Sequence, residues 1–224
     1  MKKFERFLLE GVYDKHIFKV IFMAGGPGSG KSYVADKVVT GLGLKAINSD
    51  AFFTRLLHKA GLSQEMPDHE EVQRHAQLVR AKELTNKLTL HALKGRLCML
   101  IDGTGGNYKI IRDQRDMFYV AGYDAYMIFV NTSLETALDR NAKRERQVPE
   151  KIVRSSWNLV QGNMGKFQQL FGAKNFHIID NNDPDEDIFK KASKEIRKLI
   201  VKPIMNPTAQ RWIKGELKKK RIKK

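Results

Sequence analysis

The chain has 224 residues, of which 42% are hydrophobic. That is enough for one α/β domain with a sizeable core, and too apolar for a disordered chain. Its 41 basic residues outweigh 25 acidic ones for a formal net charge of +16, which favours a polyanionic partner, most often nucleic acid. The single cysteine, Cys98, excludes a disulfide framework and agrees with a reducing cytoplasm; no apolar stretch nears the length of a membrane span.

Residues 4–16 read as a short amphipathic lead-in helix, with Phe4, Leu8, Leu9 and Val12 on one side. The N-terminus has early acids and no small-residue cleavage site, so no secretory leader is expected. Ile17–Met23 is an apolar, β-branched run that reads as a buried strand. It leads into Gly25-Gly26-Pro27-Gly28-Ser29-Gly30-Lys31-Ser32, which matches G-x-x-x-x-G-K-[ST], the Walker A phosphate loop. Val34, Val38, Val39 and Leu42 then recur at helical spacing, so a helix starts at about Lys31. Strand, glycine loop and helix is the order the chemistry requires. The glycines let successive N–H groups turn toward phosphate oxygens, and the helix N-terminus adds partial positive charge. Gly26, Pro27, Gly28, Ser29, Gly30, Lys31, Ser32 and Tyr33 are the expected contacts of ATP or another nucleoside triphosphate. Lys31 would reach the β- and γ-phosphates, and the Ser32 hydroxyl would help hold Mg²⁺.

Lys45–Asn48 reads as a second strand, followed by a helix over Ala51–Ala60. Asp50 then stands at a strand's carboxyl end, across the crevice from the phosphate loop. It is placed to take the proton of an acceptor hydroxyl, with Ser49 free to cap the helix. Met66-Pro67-Asp68 marks a break, and Asp68 is a candidate cap for a long helix to about Lys94. Leu97–Ile101 is an apolar strand closed by Asp102, the usual Walker B position for a metal-holding carboxylate. Thr104 and Asn107 are candidates to bind the acceptor or to cap the next helix. The phosphatase motif D-x-D-G-T is excluded, because Leu100 stands where its nucleophilic Asp is required.

A helix over Asn107–Ala121 and a strand over Ala125–Val130 follow. The next helix, Leu134–Lys143, runs into a basic segment in which Arg140 and Arg144 sit four apart on one face. Ahead of a Pro149–Phe171 helix, such a segment reads as a lid whose cations neutralise charge on a transferring phosphate. Phe176–Ile179 is a fifth strand, and the Asn181-Asn182 stretch after it a polar turn. A calcium loop there is excluded, because Asp185 stands where its glycine is required. Ile188–Val201 is a final helix. From Thr208 onward, eight basic residues face Glu216 alone, which reads as an electrostatic arm or a solvated terminus.

Five apolar strands alternating with helices predict a doubly wound parallel α/β sheet with a helical lid. The divisions are a lead-in over 1–16, the domain over 17–206 and a basic tail over 207–224. The Walker loop, Ile47-Asn48-Ser49-Asp50, Asp102-Gly103-Thr104 and Arg140-Asn141-Ala142-Lys143-Arg144 with Val148-Pro149 resemble the kinase domain of phage polynucleotide kinase. They are similar also to the zeta-toxin-like kinases, and the resemblance spans about residues 17–182. It implies a P-loop kinase fold using ATP and Mg²⁺, with Lys31 and Ser32 on phosphate and metal. It implies Asp50 as general base, Arg140 and Arg144 as lid arginines, and Asp102 and Thr104 beside the substrate. Arg55 is the nearest arginine after Asp50 that could grip an acceptor phosphate, although Phe52 and Phe53 come first. The implied acceptor is a 5′-hydroxyl end of nucleic acid. A nucleotide sugar or a hydroxymethylated base in phage DNA are alternatives, and a nucleotide-gated ATPase is the alternative class.

Overall fold

The computed structural model describes residues 12, 14, 16–64, 67–143, 148–182 and 187–222. All of the expected lead-in helix but residues 12, 14 and 16 lies outside them, as does Arg144. The strands are β1 (Lys19–Ala24), β2 (Lys45–Ile47), β3 (Met99–Asp102), β4 (Asp124–Asn131) and β5 (Phe176–Asp180). The helices begin with α1 (Lys31–Leu42), α2 (Ser49–Lys59), α3 (Glu71–Lys94) and α4 (Tyr108–Val120). They continue with α5 (Leu134–Ala142), α6 (Glu150–Phe171), α7 (Ile188–Ile200) and α8 (Pro207–Ile222).

The strands form one parallel sheet in the order β2-β3-β1-β4-β5. β1 is central, with Ile21 opposite Leu100 of β3 and Tyr126 of β4. Val20, Phe22 and Ala24 enter one core cluster, with Phe118 of α4 and Phe167 of α6. Ile21 and Met23 enter the other, with Val34 of α1 and Ile196 of α7. Both sheet faces are covered, which is why β1 is apolar throughout instead of alternating. Parallel strands put all five carboxyl ends at one edge, and the crevice beside central β1 lies there. α2 and α3 pack on each other next to that edge. No described helix is long and apolar enough to cross a membrane.

Several expected boundaries move. β1 starts at Lys19 and not Ile17, because Phe18 turns left-handed (φ 55°) to donate its N–H to Arg96 O at 3.1 Å. Leu97 stays out of β3: its N–H donates to Ala92 O at 3.0 Å, and the side chain is 45% exposed. Asp68 does not cap the long helix. It opens a 3₁₀ turn over Asp68–Glu70, in which Glu70 N–H donates to Pro67 O at 3.1 Å, and α3 begins after it.

The basic tail is helix through Ile222. Pro207 opens α8 where a missing N–H costs nothing. Asn206 Oδ1 accepts the Thr208 N–H at 2.9 Å, while its Nδ2 donates to Tyr119 O at 2.8 Å. Ala209 is fully buried, and Trp212 and Ile213 pack against the core. The Trp212 ring lies 5.5 Å from that of Phe18, with the Arg96 guanidinium 4.1 Å above it. This helical apolar spacing was masked in the sequence by the lysines around it.

Nearby, Lys19 is a charged residue fully buried in a strand. Its Nζ donates to Leu199 O at 3.2 Å and to Lys202 O, carbonyls around the end of α7, the first of which also accepts the Lys202 N–H at 3.2 Å. Burial pulls its pKa from the ordinary 10.5 down to about 8, against the opposing pull of Asp124.

Candidate active site

The loop between β1 and α1 is held from beneath. Gly28 and Gly30 have φ of 78° and 82°, a left-handed backbone that glycine adopts without penalty. A Cβ on Gly28 would lie 2.5 Å from Ala137 O of α5, so α5 seats directly against the loop. A Cβ on Gly30 would lie 2.6 Å from Asn181 Nδ2. That amide donates to Ser29 O at 2.7 Å, and Asn181 is only 6% exposed. Asn181, expected in a polar turn, is therefore a buried support of the loop. Gly30 takes the N-cap position of α1 without a side-chain cap, and the first turn carries no acid. The partial positive charge of the helix end is thus left for an anion.

The opposite wall comes from β2 and β3. Asn48 caps α2 in place of Ser49, accepting the Asp50 N–H on Oδ1 at 2.8 Å. The same Asn48 donates from Nδ2 to Asp102 Oδ2 at 2.8 Å. The other Asp102 oxygen accepts Lys31 Nζ at 2.5 Å. This ion pair is nearly enclosed, with side chains 11% exposed for Lys31 and 5% for Asp102. Asn48 therefore ties the strand-end carboxylate to the first turn of the helix that carries Asp50.

A cleft of about 540 Å³ opens between these walls, within the size range of small-molecule sites. It is lined by the whole loop from Gly25 to Tyr33 and by Asp50, Thr104 and Val148. Thr104 O accepts the Gly25 N–H at 3.0 Å, and Asn107 caps α4. Among the described residues, two of the four buried side-chain polar atoms without a hydrogen-bond partner lie here: Ser29 Oγ, in the loop, and Arg140 Nη1, on α5 one turn past Ala137; the others are His177 Nε2 and Ser193 Oγ. Ser29 and Arg140 would each be satisfied by an acceptor oxygen such as phosphate provides. Among the described residues no three His, Cys, Asp or Glu side chains cluster as a metal site.

The structure thus brings together Gly26, Pro27, Gly28, Ser29, Gly30, Lys31, Ser32, Tyr33, Asp50 and Thr104, with Asp102 bonded to Lys31. It does not bring Arg55 there. Arg55 follows Asp50 by five positions, about 140° around the helix, and is exposed away from the cleft. Arg140 stands beside the loop and not in the cleft wall. Phe53, one turn from Asp50, instead lines a second cleft of about 510 Å³ between α2 and α3, with Glu71, Val72, Arg74, His75 and Leu78. Sequence reasoning missed Asn48 and Asn181 as contributors. Asparagine's strength as a helix cap was the available signal for the first; the second had none, since its partner is a backbone carbonyl 152 residues away.

A family model described as an AAA domain matches residues 20–166. The chain belongs to that family. The matched AAA domain runs from β1 into α6 and includes the loop, Asn48, Asp50, Asp102 and Arg140; Asn181 and α8 lie beyond it. No curated protein sequence matches the chain. Among solved structures it is similar to a gluconokinase from Sinorhizobium meliloti 1021, at 15% identity and TM-score 0.51, over 83% of this chain and 95% of that one. It is similar to shikimate kinase from Acinetobacter baumannii in complex with shikimate, at 16% identity and TM-score 0.50, over 85% and 97%. A chain of the Pnkp1/Rnl/Hen1 RNA repair complex is similar at 22% identity and TM-score 0.53, over 68% of this chain and 47% of that one. The AAA domain here has the P-loop kinase-like α/β fold.

Proposed function

We propose that this AAA-domain protein is an ATP- and Mg²⁺-dependent kinase that transfers the γ-phosphate to a hydroxyl, preferably the 5′-hydroxyl end of a nucleic acid strand. The observation that carries this reading is that Asp50 and the complete phosphate loop line one cleft. In the transfer, the acceptor oxygen bonds to the γ-phosphorus as the bond to the β–γ bridging oxygen breaks. The acceptor proton passes to Asp50, and ADP leaves. Lys31 turns from Asp102 to the β- and γ-phosphates, and the first turn of α1 adds its N–H groups. The oxygen donors Ser32 and Asp102 suit Mg²⁺, which would neutralise phosphate charge when bound. Arg140, with its unpartnered Nη1, joins Arg144 in stabilising the charge on the transferring group.

The net charge of +16 supports a nucleic acid acceptor. So does the second cleft, where Phe53 offers a ring for a terminal base and Arg74 a cation for its phosphate. The likeness to a chain of an RNA repair complex is in keeping with this. A single buried thiol, Cys98, is in keeping with the cytoplasm.

The test is a screen of γ-phosphate transfer to hydroxyl-ended DNA and RNA, nucleosides, nucleotide sugars and sugar acids, with the Asp50→Ala variant alongside. Loss of the base should lower transfer by roughly 10²–10⁴-fold with ATP affinity little changed. Transfer retained by Asp50→Ala refutes the base assignment. Transfer to small acceptors alone refutes the nucleic acid, and label found only as free phosphate refutes the kinase.

A further inference from the structure

The docked C-terminal helix has a face that the fold does not use. α8 sits at the amino ends of the strands, where Trp212 meets Phe18 just before β1 begins. The phosphate loop follows the other end of β1, a strand of six residues, so about 20 Å of sheet separates the two. Ala209, Trp212, Ile213 and Leu217 turn inward or sit half-buried. Arg211, Lys214 and Lys218 share the opposite, exposed face at helical spacing. None of the three forms an ion pair with a described residue, whereas Lys219 folds back onto Glu216 at 2.8 Å.

Two further features mark that face. Gly215 lies in the middle of the cation stripe, where a Cβ would meet nothing within 4 Å. Packing therefore does not require glycine there, and mid-helix glycine costs about 0.5–1 kcal/mol relative to alanine. Its effect is a flat surface between the cations, open to close approach by a backbone. The start of α8, at Pro207, also borders a cleft of about 460 Å³ lined by Lys174 and Lys202. The cations thus continue past the helix.

We infer that this basal face, α8 with the adjoining cleft, holds the phosphate backbone of a nucleic acid at a distance from the transfer cleft. The inference rests on the nucleic acid reading above and adds a second contact to it. Three uncompensated cations with no apolar residue between them suit a row of phosphates. A protein partner would call for aromatic or aliphatic anchors, and those of α8 face the core. At about 3.4 Å per nucleotide along a duplex strand, about six nucleotides cover 20 Å, and a trinucleotide is too short to reach from the transfer cleft to α8.

The test compares the full chain with a variant carrying Arg211→Gln, Lys214→Gln and Lys218→Gln, which keeps the inward face of α8. The probe is a 20-base-pair DNA duplex with 5′-phosphates, so that no acceptor hydroxyl is offered at the 5′ ends. Each lost phosphate contact should lower the log–log salt slope of binding by about 0.9, or about 2.7 for three. The variant should also raise KM for a long hydroxyl-ended strand while leaving kcat and KM for a trinucleotide unchanged. An unchanged salt slope overturns the inference, as does an equal loss on trinucleotide and long strand, or a wild-type chain that does not bind the duplex. If the wild type binds the duplex with the expected slope change but phosphorylates no strand, the inference stands and the acceptor reading falls.

Discussion

Asn181 and Gly30 form a pair whose energies should not add. Asn181→Ala removes the buried bond to Ser29 O and strands that carbonyl, which costs about 1–3 kcal/mol. Gly30→Ala places a side chain in the left-handed region, at roughly 1–2 kcal/mol. It also drives the new Cβ to 2.6 Å from Asn181 Nδ2, so the amide must leave Ser29 to make room. The single Gly30→Ala variant therefore loses the same bond a second way, for a total of roughly 2–5 kcal/mol. In the double variant the clash has no second partner, and the bond can be lost only once. Simple addition gives roughly 3–8 kcal/mol, but the structure calls for roughly 2–5, a coupling of about 1–3 kcal/mol. Urea unfolding of the four proteins, followed by Trp157 and Trp212 fluorescence, measures it, with ATP affinity of the single variants as a second reading. Additivity within about 0.5 kcal/mol would refute the idea that the two residues share one contact under the loop.

Stability should peak at alkaline pH. Lys19 titrates at about 8 in the folded chain against 10.5 normally, so across that window the unfolded chain binds a proton the native one has shed, and stability rises with pH. Burial pushes the Cys98 thiol from 9.0 up to about 12, so from about pH 9 upward the native chain keeps a proton the unfolded one loses; this offsets the Lys19 rise to about pH 10.5, and beyond it stability falls. The buried Tyr123 and Tyr126 hydroxyls, also raised, steepen that fall at higher pH. Urea midpoints across pH 7–11 should show the rise and the fall, and Cys98→Ala should prolong the rise and lessen the fall. Asn48→Ala should cost about 0.5–2 kcal/mol of stability through the lost cap, and should lower transfer more than ATP affinity. Asn48→Ser keeps a cap but removes the amide that donates to Asp102, so near-normal stability with equally poor transfer would separate the two roles; normal transfer in either variant would refute the tie to Asp102.

The elements that the sequence disclosed best are those whose signal is local. The Walker loop is a contiguous motif, and five apolar runs marked the strands because both faces of the sheet are covered. The helix starting at Lys31 followed from apolar spacing over a single segment. What stayed hidden depends on distant partners. Leu97 looks like strand, and only the carbonyl of Ala92 keeps it out. Asp68 has a cap's chemistry but lost the position to a 3₁₀ turn behind Pro67. α8 was obscured because its lysines dominate its composition, while the residues that dock it meet Phe18 and Arg96, remote in sequence. In the site, side-chain type located Lys31 and Asp50 by motif. The bonds of Asn48 and Asn181 required the folded chain.

The enclosed Lys31–Asp102 pair makes ligand entry an exchange. Before any phosphate arrives, the lysine is already spoken for, and the carboxylate with it. A ligand that draws the ammonium away leaves Asp102 with the Asn48 amide alone, and an uncompensated buried charge costs several kcal/mol. Adenosine offers nothing in return for Lys31 and cannot drive the swap. A bare triphosphate satisfies the lysine but abandons the carboxylate. Only an anion accompanied by its own cation leaves both sides of the former pair matched. On the kinase reading, the Lys31–Asp102 pair therefore favours the charged end of a nucleotide together with its counter-ion over either alone.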